Sequence, residues 1–305
     1  MFIAQNNKSE NKFTKYIVGS LMIILGSFIG QIPLGIAIMY QIFVHKKTYP
    51  TTDIQLYSMF ESNLFLFLVM ISFVVAFLTL YLVVKKYHQQ QFISIITSRN
   101  KIDYKRCITS FSIWVFISVT TILTSYFSKD STIVLQFELV PFLILFFIAI
   151  IFIPIQTSLE ELVFRGYLMQ GFYNLSQTKW IPLIMTSIIF GGLHWFNPEV
   201  SEMGSLVMIY YIGTGLFLGV ITLMDEGTEL ALGFHAANNL VASLLVTTSY
   251  GVLQTHAIFK ELSKPSIGFE IFMPLVFYII LVFIFAEKYK WHQWKEKLIG
   301  NNKRL

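Results

Sequence analysis

Charge is what this sequence is shortest of. Only 13% of its 305 residues are Asp, Glu, Lys or Arg, against about 25% in an ordinary soluble domain. With 55% hydrophobic residues and a mean hydropathy of +0.65, the chain is far too apolar for a soluble domain of this size. Cysteine is almost missing as well. A single residue, Cys107, excludes a disulfide framework, a thiolate zinc site and a Cys-x-x-Cys redox motif, and reads as a free thiol at a helix end. There is no internal repeat and no low-complexity linker. The zincin pattern His-Glu-x-x-His and the Gly-x-Ser-x-Gly nucleophile elbow are both absent. The net charge of +5 comes from basic residues in short loops beside apolar spans. That is the pattern of membrane topology, and no nucleic-acid-binding signature accompanies it.

What is present is length of apolar run. Stretches near the 20 residues needed to cross a hydrocarbon core fall at eight places: 16–43, 63–84, 108–127, 142–172, 180–196, 206–224, 230–250 and 267–286. The expected fold class is therefore all-α, a polytopic membrane helix bundle of about eight transmembrane helices. The organisation expected is a polar N-terminal segment with three spans (1–139), a core (140–250), and a last span with a basic tail (251–305). The first span lacks a small-residue cleavage site and reads as a retained helix. With the N-terminus inside, only Lys46, Lys47, Lys129, Lys260 and Lys264 fall outside. Both termini are then expected in the cytoplasm. The tail "EKYKWHQWKEKLIG" reads as an interfacial helix, with Trp291 and Trp294 at the headgroups.

The few charges inside the spans carry the chemistry. "TSLEELVFRGYL", Thr157 to Leu168, holds Glu160, Glu161 and Arg165 directly after the apolar run "VPFLILFFIAIIFIPIQ". A charge at the bilayer centre costs about 2.5–3.5 kcal/mol on insertion scales, so such residues are expected to face an internal cavity and a partner. Arg165 lies four residues after Glu161, on the same helix face. Glu160 is about 100° away, free to point into the bundle while the arginine holds its neighbour. Of six histidines, only His194 and His235 fall inside spans. Phe190 precedes His194 by one turn, and Asn239 follows His235 by one turn. A carboxylate with two imidazoles suits general acid–base work or a zinc ion with an open position for water. Asn239 suits an oxyanion. One point of geometry is uncomfortable. His194 lies about 21 Å up its helix from Trp180 at 1.5 Å per residue, whereas His235 is only about one and a half turns into its own. The groups meet if the fourth span is long enough to put Glu160 near mid-membrane, or if the fifth is tilted or starts inside the bundle.

These residues resemble the CAAX protease and bacteriocin-processing family of intramembrane proteases, also called CPBP or Abi. Its pattern is Glu-Glu-x-x-x-Arg, then Phe-x-x-x-His, then His-x-x-x-Asn, each on a different membrane helix. Here those are Glu160, Glu161 and Arg165; Phe190 and His194; His235 and Asn239. The resemblance covers about residues 140–250. It implies hydrolysis of a peptide bond in a membrane-associated or lipidated peptide, inside a bacterial plasma membrane. Eukaryotic relatives remove the last three residues of prenylated C-termini, and bacterial relatives are linked to bacteriocin production, self-immunity and peptide signalling. By resemblance, Glu160 and His194 activate water. His235 and Asn239 stabilise the oxyanion or help hold a metal, and Glu161 with Arg165 organises the site. Zinc or another divalent ion on Glu160, His194 and His235 and a metal-free glutamate mechanism both stay open. The expected partners are the lipid bilayer and a membrane-embedded or lipidated peptide, with no nucleic acid. A non-catalytic immunity or regulatory scaffold is the alternative, and a proton-coupled transporter is the third reading.

Overall fold

The computed structural model describes residues 1–5, 12–252, 254–263 and 268–300. Lys8, Lys264, Lys303 and Arg304, all used in the topology argument, lie outside the described residues. The elements relevant here are α1 (Phe13–Gly30), α2 (Ile32–Phe43), α3 (Ser62–Leu82), α4 (Tyr104–Tyr126), β1 (Ile133–Leu135), α5 (Leu139–Glu161), α6 (Met169–Ser176), α7 (Trp180–Gly192), α8 (Val207–Asp225), α9 (Glu229–Leu244), β2 (Val246–Thr248), β3 (Phe259–Glu261), α10 (Phe269–Lys288) and α11 (Trp294–Ile299).

Among the described residues, six helical segments are long and apolar enough to cross a membrane: Phe13–Phe43, Ser62–Tyr87, Tyr104–Tyr126, Leu139–Ser176, Val207–Asp225 and Ile271–Lys288. The chain is an all-helical, polytopic bundle apart from one small sheet. The remaining two expected spans are helices too, but short ones: α7 has 13 residues and α9 has 16. The seventh span ends early because Val246-Thr247-Thr248 is β-branched and prefers a strand. It forms β2, which pairs in parallel with β3, while β1 pairs with β3 antiparallel in the order β1-β3-β2.

The apolar effect that drives soluble folding is absent between helices in lipid, so close approach and polar contacts hold a bundle together. Gly233 lets α9 lie on α4: a Cβ there would sit 2.1 Å from the Cys107 carbonyl oxygen. Cys107 itself is a free thiol in the first turns of α4. Gly166 receives the loop between α3 and α4 in the same manner, its Cβ position only 2.3 Å from the Ile95 carbonyl oxygen.

That loop seals one end of the bundle. Thr228 donates both N–H and hydroxyl to the Ile96 carbonyl, and Ser98 N–H bonds to the Glu226 carbonyl. Arg99 reaches Asp225 (3.1 Å) and Glu229 (3.2 Å), and Arg106 pairs with Asp225 as well. The expected interfacial tail is docked on this same end. Trp291 Nε1 donates to Asp225, Lys297 to the Met224 carbonyl, and Lys179 to the Glu296 carbonyl. The corner between α8 and α9 is therefore roofed over, with Thr228 and Glu229 fully buried.

Candidate functional site

The charged cluster sits where α5 changes pitch. Pro154 lies inside α5 without ending it. From Leu162 to Leu168 the helix widens to the π form before resuming as α6. Such wide turns cost regular hydrogen bonding and recur at functional sites. Glu161, the last residue before it, and Arg165 within it both turn inward, with side chains 0% exposed. Arg165 Nη1 donates to Glu161 Oε1 at 3.0 Å, and Nη2 donates to the Gly215 carbonyl at 3.2 Å. Its guanidinium also stands 4.4 Å from the Phe190 ring centroid.

His235 joins this pair from α9. Its Nδ1 donates to Glu161 Oε1 at 2.7 Å, which turns Nε2 toward Glu160 Oε2 at 3.6 Å. Glu161 is Arg165's partner, as the four-residue spacing led one to expect, and it sits fully inside the bundle because two donors there compensate its charge. Glu160, at 20% side-chain exposure, lines the open side. Its Oε1 accepts from Gln156 Nε2 at 2.5 Å.

His194 lies just beyond the end of α7. Its Nδ1 donates to the Phe190 carbonyl at 2.8 Å, and its ring stacks on Tyr211 with centroids 4.4 Å apart. Asn197 bonds to the Tyr211 hydroxyl. Phe190 is the hub between the motifs: its centroid is 4.8 Å from that of His194 and 6.1 Å from that of His235. Asn239 reaches the cluster through Gln156, donating from Nδ2 to Oε1 at 3.1 Å. All six residues singled out in the sequence are therefore in one neighbourhood. The depth problem resolves through the long fourth span and the tight turn at Gln177 (φ 55°). α6 and α7 leave that turn antiparallel, so Glu160 and His194 stand at similar heights, about 24 and 21 Å along their helices.

Among the described residues no group of three His, Cys, Asp or Glu side chains is arranged to hold a metal ion. Glu160, His194 and His235 do not form such a group; His194 and His235 each spend Nδ1 on a protein acceptor, Phe190 and Glu161, which leaves both Nε2 atoms free.

Sequence reasoning missed Gln156, Tyr211 and His88. Gln156 had a signal, being polar in an apolar run and four residues before Glu160. Tyr211 had none. His88, assigned to a loop, is buried and bonds through Nε2 to Tyr167 at 2.8 Å.

A polytopic helical membrane protein with carboxylates, a guanidinium and imidazoles gathered inside its bundle is the class that fold and site define. Residues 139–241 match the model of the type II CAAX prenyl endopeptidase Rce1-like family, the segment that carries the three motifs. The family is one of membrane proteases. The chain is also 28% identical over 249 residues to the uncharacterized protein YyaK of Bacillus subtilis (strain 168), covering 80% of this chain and 82% of that one. No solved structure matches it.

Proposed function

We propose that this protein is an intramembrane endopeptidase that cleaves a membrane-embedded or lipidated peptide with a water activated by Glu160 and His194. The observation that carries the reading is the convergence of Glu160, Glu161, Arg165 and His235 beside Phe190, from three separate helices, inside a bundle where isolated charges are costly. Glu160 Oε2 and the Nε2 of a neutral His194 are acceptors, since His194 spends its Nδ1 proton on Phe190. A water between them gives its proton to Glu160, and its oxygen bonds to the scissile carbonyl carbon. The carbonyl oxygen becomes an oxyanion, met by the free N–H of Asn239. The C–N bond then breaks as Glu160 returns the proton to the leaving amine. Glu161 and Arg165 hold His235 in place. Among the described residues the candidate metal ligands form no group arranged to hold an ion, and no step is assigned to a metal.

A scaffold has no physical need for Glu160, His194, His235 and Asn239 together, and a carrier would be expected to show paired broken helices. The test is a set of purified variants compared for cleavage and thermal stability. Glu160→Gln and His194→Ala should abolish cleavage while the fold persists. Glu161→Gln should lose stability as well, because that side chain is buried between two donors. Near-full cleavage by Glu160→Gln or His194→Ala would overturn the assignment.

A further inference from the structure

A line of side-chain amides leads away from Glu160. Trp114 Nε1 on α4 donates to Asn238 Oδ1 at 3.1 Å, and Asn238 Nδ2 donates to Asn239 Oδ1 at 3.1 Å. Asn239 Nδ2 donates to Gln156 Oε1 at 3.1 Å, and Gln156 Nε2 donates to Glu160 Oε1 at 2.5 Å. Carboxamides can usually be turned either way, and their orientation is normally an assignment. Here chemistry leaves one choice. An indole N–H only donates, so Asn238 must show it the carbonyl oxygen. Its NH2 then faces Asn239, which must answer with oxygen and pass its own NH2 onward. Gln156 repeats the step, and the line ends on a carboxylate oxygen. The Tyr210 hydroxyl also touches Asn238, but a hydroxyl both donates and accepts, so it does not oppose this order.

We infer that Trp114, Asn238 and Gln156 are positioning residues, forming a one-way hydrogen-bond chain that aims Asn239 and Glu160. The inference rests on the endopeptidase reading. Two consequences follow for the site. Asn239 has Oδ1 held behind it, so it presents N–H and not C=O to the reacting carbonyl. Glu160 has Oε1 occupied, so Oε2, the oxygen beside His235, is the one left for water. Three helices, α4, α5 and α9, are locked in register by the same bonds. Trp114 and Gln156 are themselves buried, which shields the chain from competing water. None of Trp114, Gln156 or Asn238 belongs to the three motifs.

The test uses the full-length protein in lipid vesicles. Its probe is a synthetic copy of a membrane peptide that cells cleave with wild type and not with Glu160→Gln. Gln156→Met, which keeps the shape and removes the amide, should lower kcat on the order of 100-fold, the scale of a misaligned reacting group, with KM unchanged. Trp114→Phe keeps an aromatic ring against Phe234 and should lower kcat about fivefold, the worth of one neutral hydrogen bond. The double variant should be no worse than Gln156→Met alone, since a broken chain cannot be broken again. Asn238→Asp cannot donate to Asn239, so that amide turns over. Its kcat should fall at least as far as that of Asn238→Ala, and this pair carries the test if Gln156→Met does not fold. Effects that multiply, a change confined to KM, or wild-type turnover in Asn238→Asp would overturn the inference while leaving the endopeptidase standing. If no peptide distinguishes wild type from Glu160→Gln, the endopeptidase reading falls and this one with it.

Discussion

Replacing Arg165 by methionine tests the electrostatic logic of the site independently of any substrate. Methionine keeps much of the aliphatic length and removes the guanidinium. Glu161, fully buried, then loses its 3.0 Å partner, and the Gly215 carbonyl loses its 3.2 Å donor. Breaking a buried ion pair on one side costs about 3–5 kcal/mol, because the remaining charge is left uncompensated. At 1.4 kcal/mol per tenfold, that lowers the folded-to-unfolded ratio by more than about 100-fold. His235 still bonds to Glu161, which argues for the lower end of that range. The assay is equilibrium unfolding of purified protein in mixed micelles with a denaturing detergent, followed by tryptophan fluorescence. The double variant Glu161→Gln/Arg165→Met buries no charge and should recover a substantial part of the loss. A cost below about 1 kcal/mol for Arg165→Met, or a double variant as unstable as the sum of its parts, would refute the reasoning.

Other consequences are simpler to state. Gly166→Ala should cost about 1–3 kcal/mol and loosen the loop between α3 and α4, since the Ile95 carbonyl leaves no room for a methyl group; proteolysis within residues 89–102 should accelerate, and an unchanged rate would contradict the contact. His88 has its pKa pushed down to about 4 by burial, assisted by Lys15. The unfolded chain therefore takes up the proton first, so the stability contribution is full above about pH 6.5 and declines as pH falls toward 4. His88→Gln should flatten that decline, and parallel pH curves would exclude His88 as its source. Chelation should leave cleavage unchanged if Glu160 and His194 act on water unaided. Loss on chelation, restored by zinc, would bring back Glu160, His194 and His235 as a ligand set.

How much of this was legible in the sequence differs from residue to residue. The bundle was, because its signal is gross: apolar runs of membrane length with basic loops. The three motifs were legible because ionisable residues are rare in such runs. The pairing of Glu161 with Arg165 was legible too, from four-residue spacing on one helix face. The bond from His235 to Glu161 was not, because only the packing of α9 against α5 sets it. Nor was the roofed α8–α9 corner, which depends on Arg99 in the loop before α4 and Arg106 in its first turn, both more than 100 residues away. The short α7 follows from the same tertiary fact: His194 needs only to reach the level of Glu160, so its helix need not span. Gln156 could have been noticed on spacing alone. Asn238, beside the motif residue Asn239, was hidden by adjacency, and Trp114 was hidden because its contribution is a single N–H.

The central claim is that Glu160 performs hydrolysis inside the membrane. Its most direct test compares the membrane peptidome of cells carrying wild-type protein with that of cells carrying Glu160→Gln at matched expression. The account predicts C-terminal or juxtamembrane fragments present only with wild type, and those fragments identify the substrate. Identical peptidomes, with the cellular phenotype retained by Glu160→Gln, would contradict it and favour a non-catalytic scaffold.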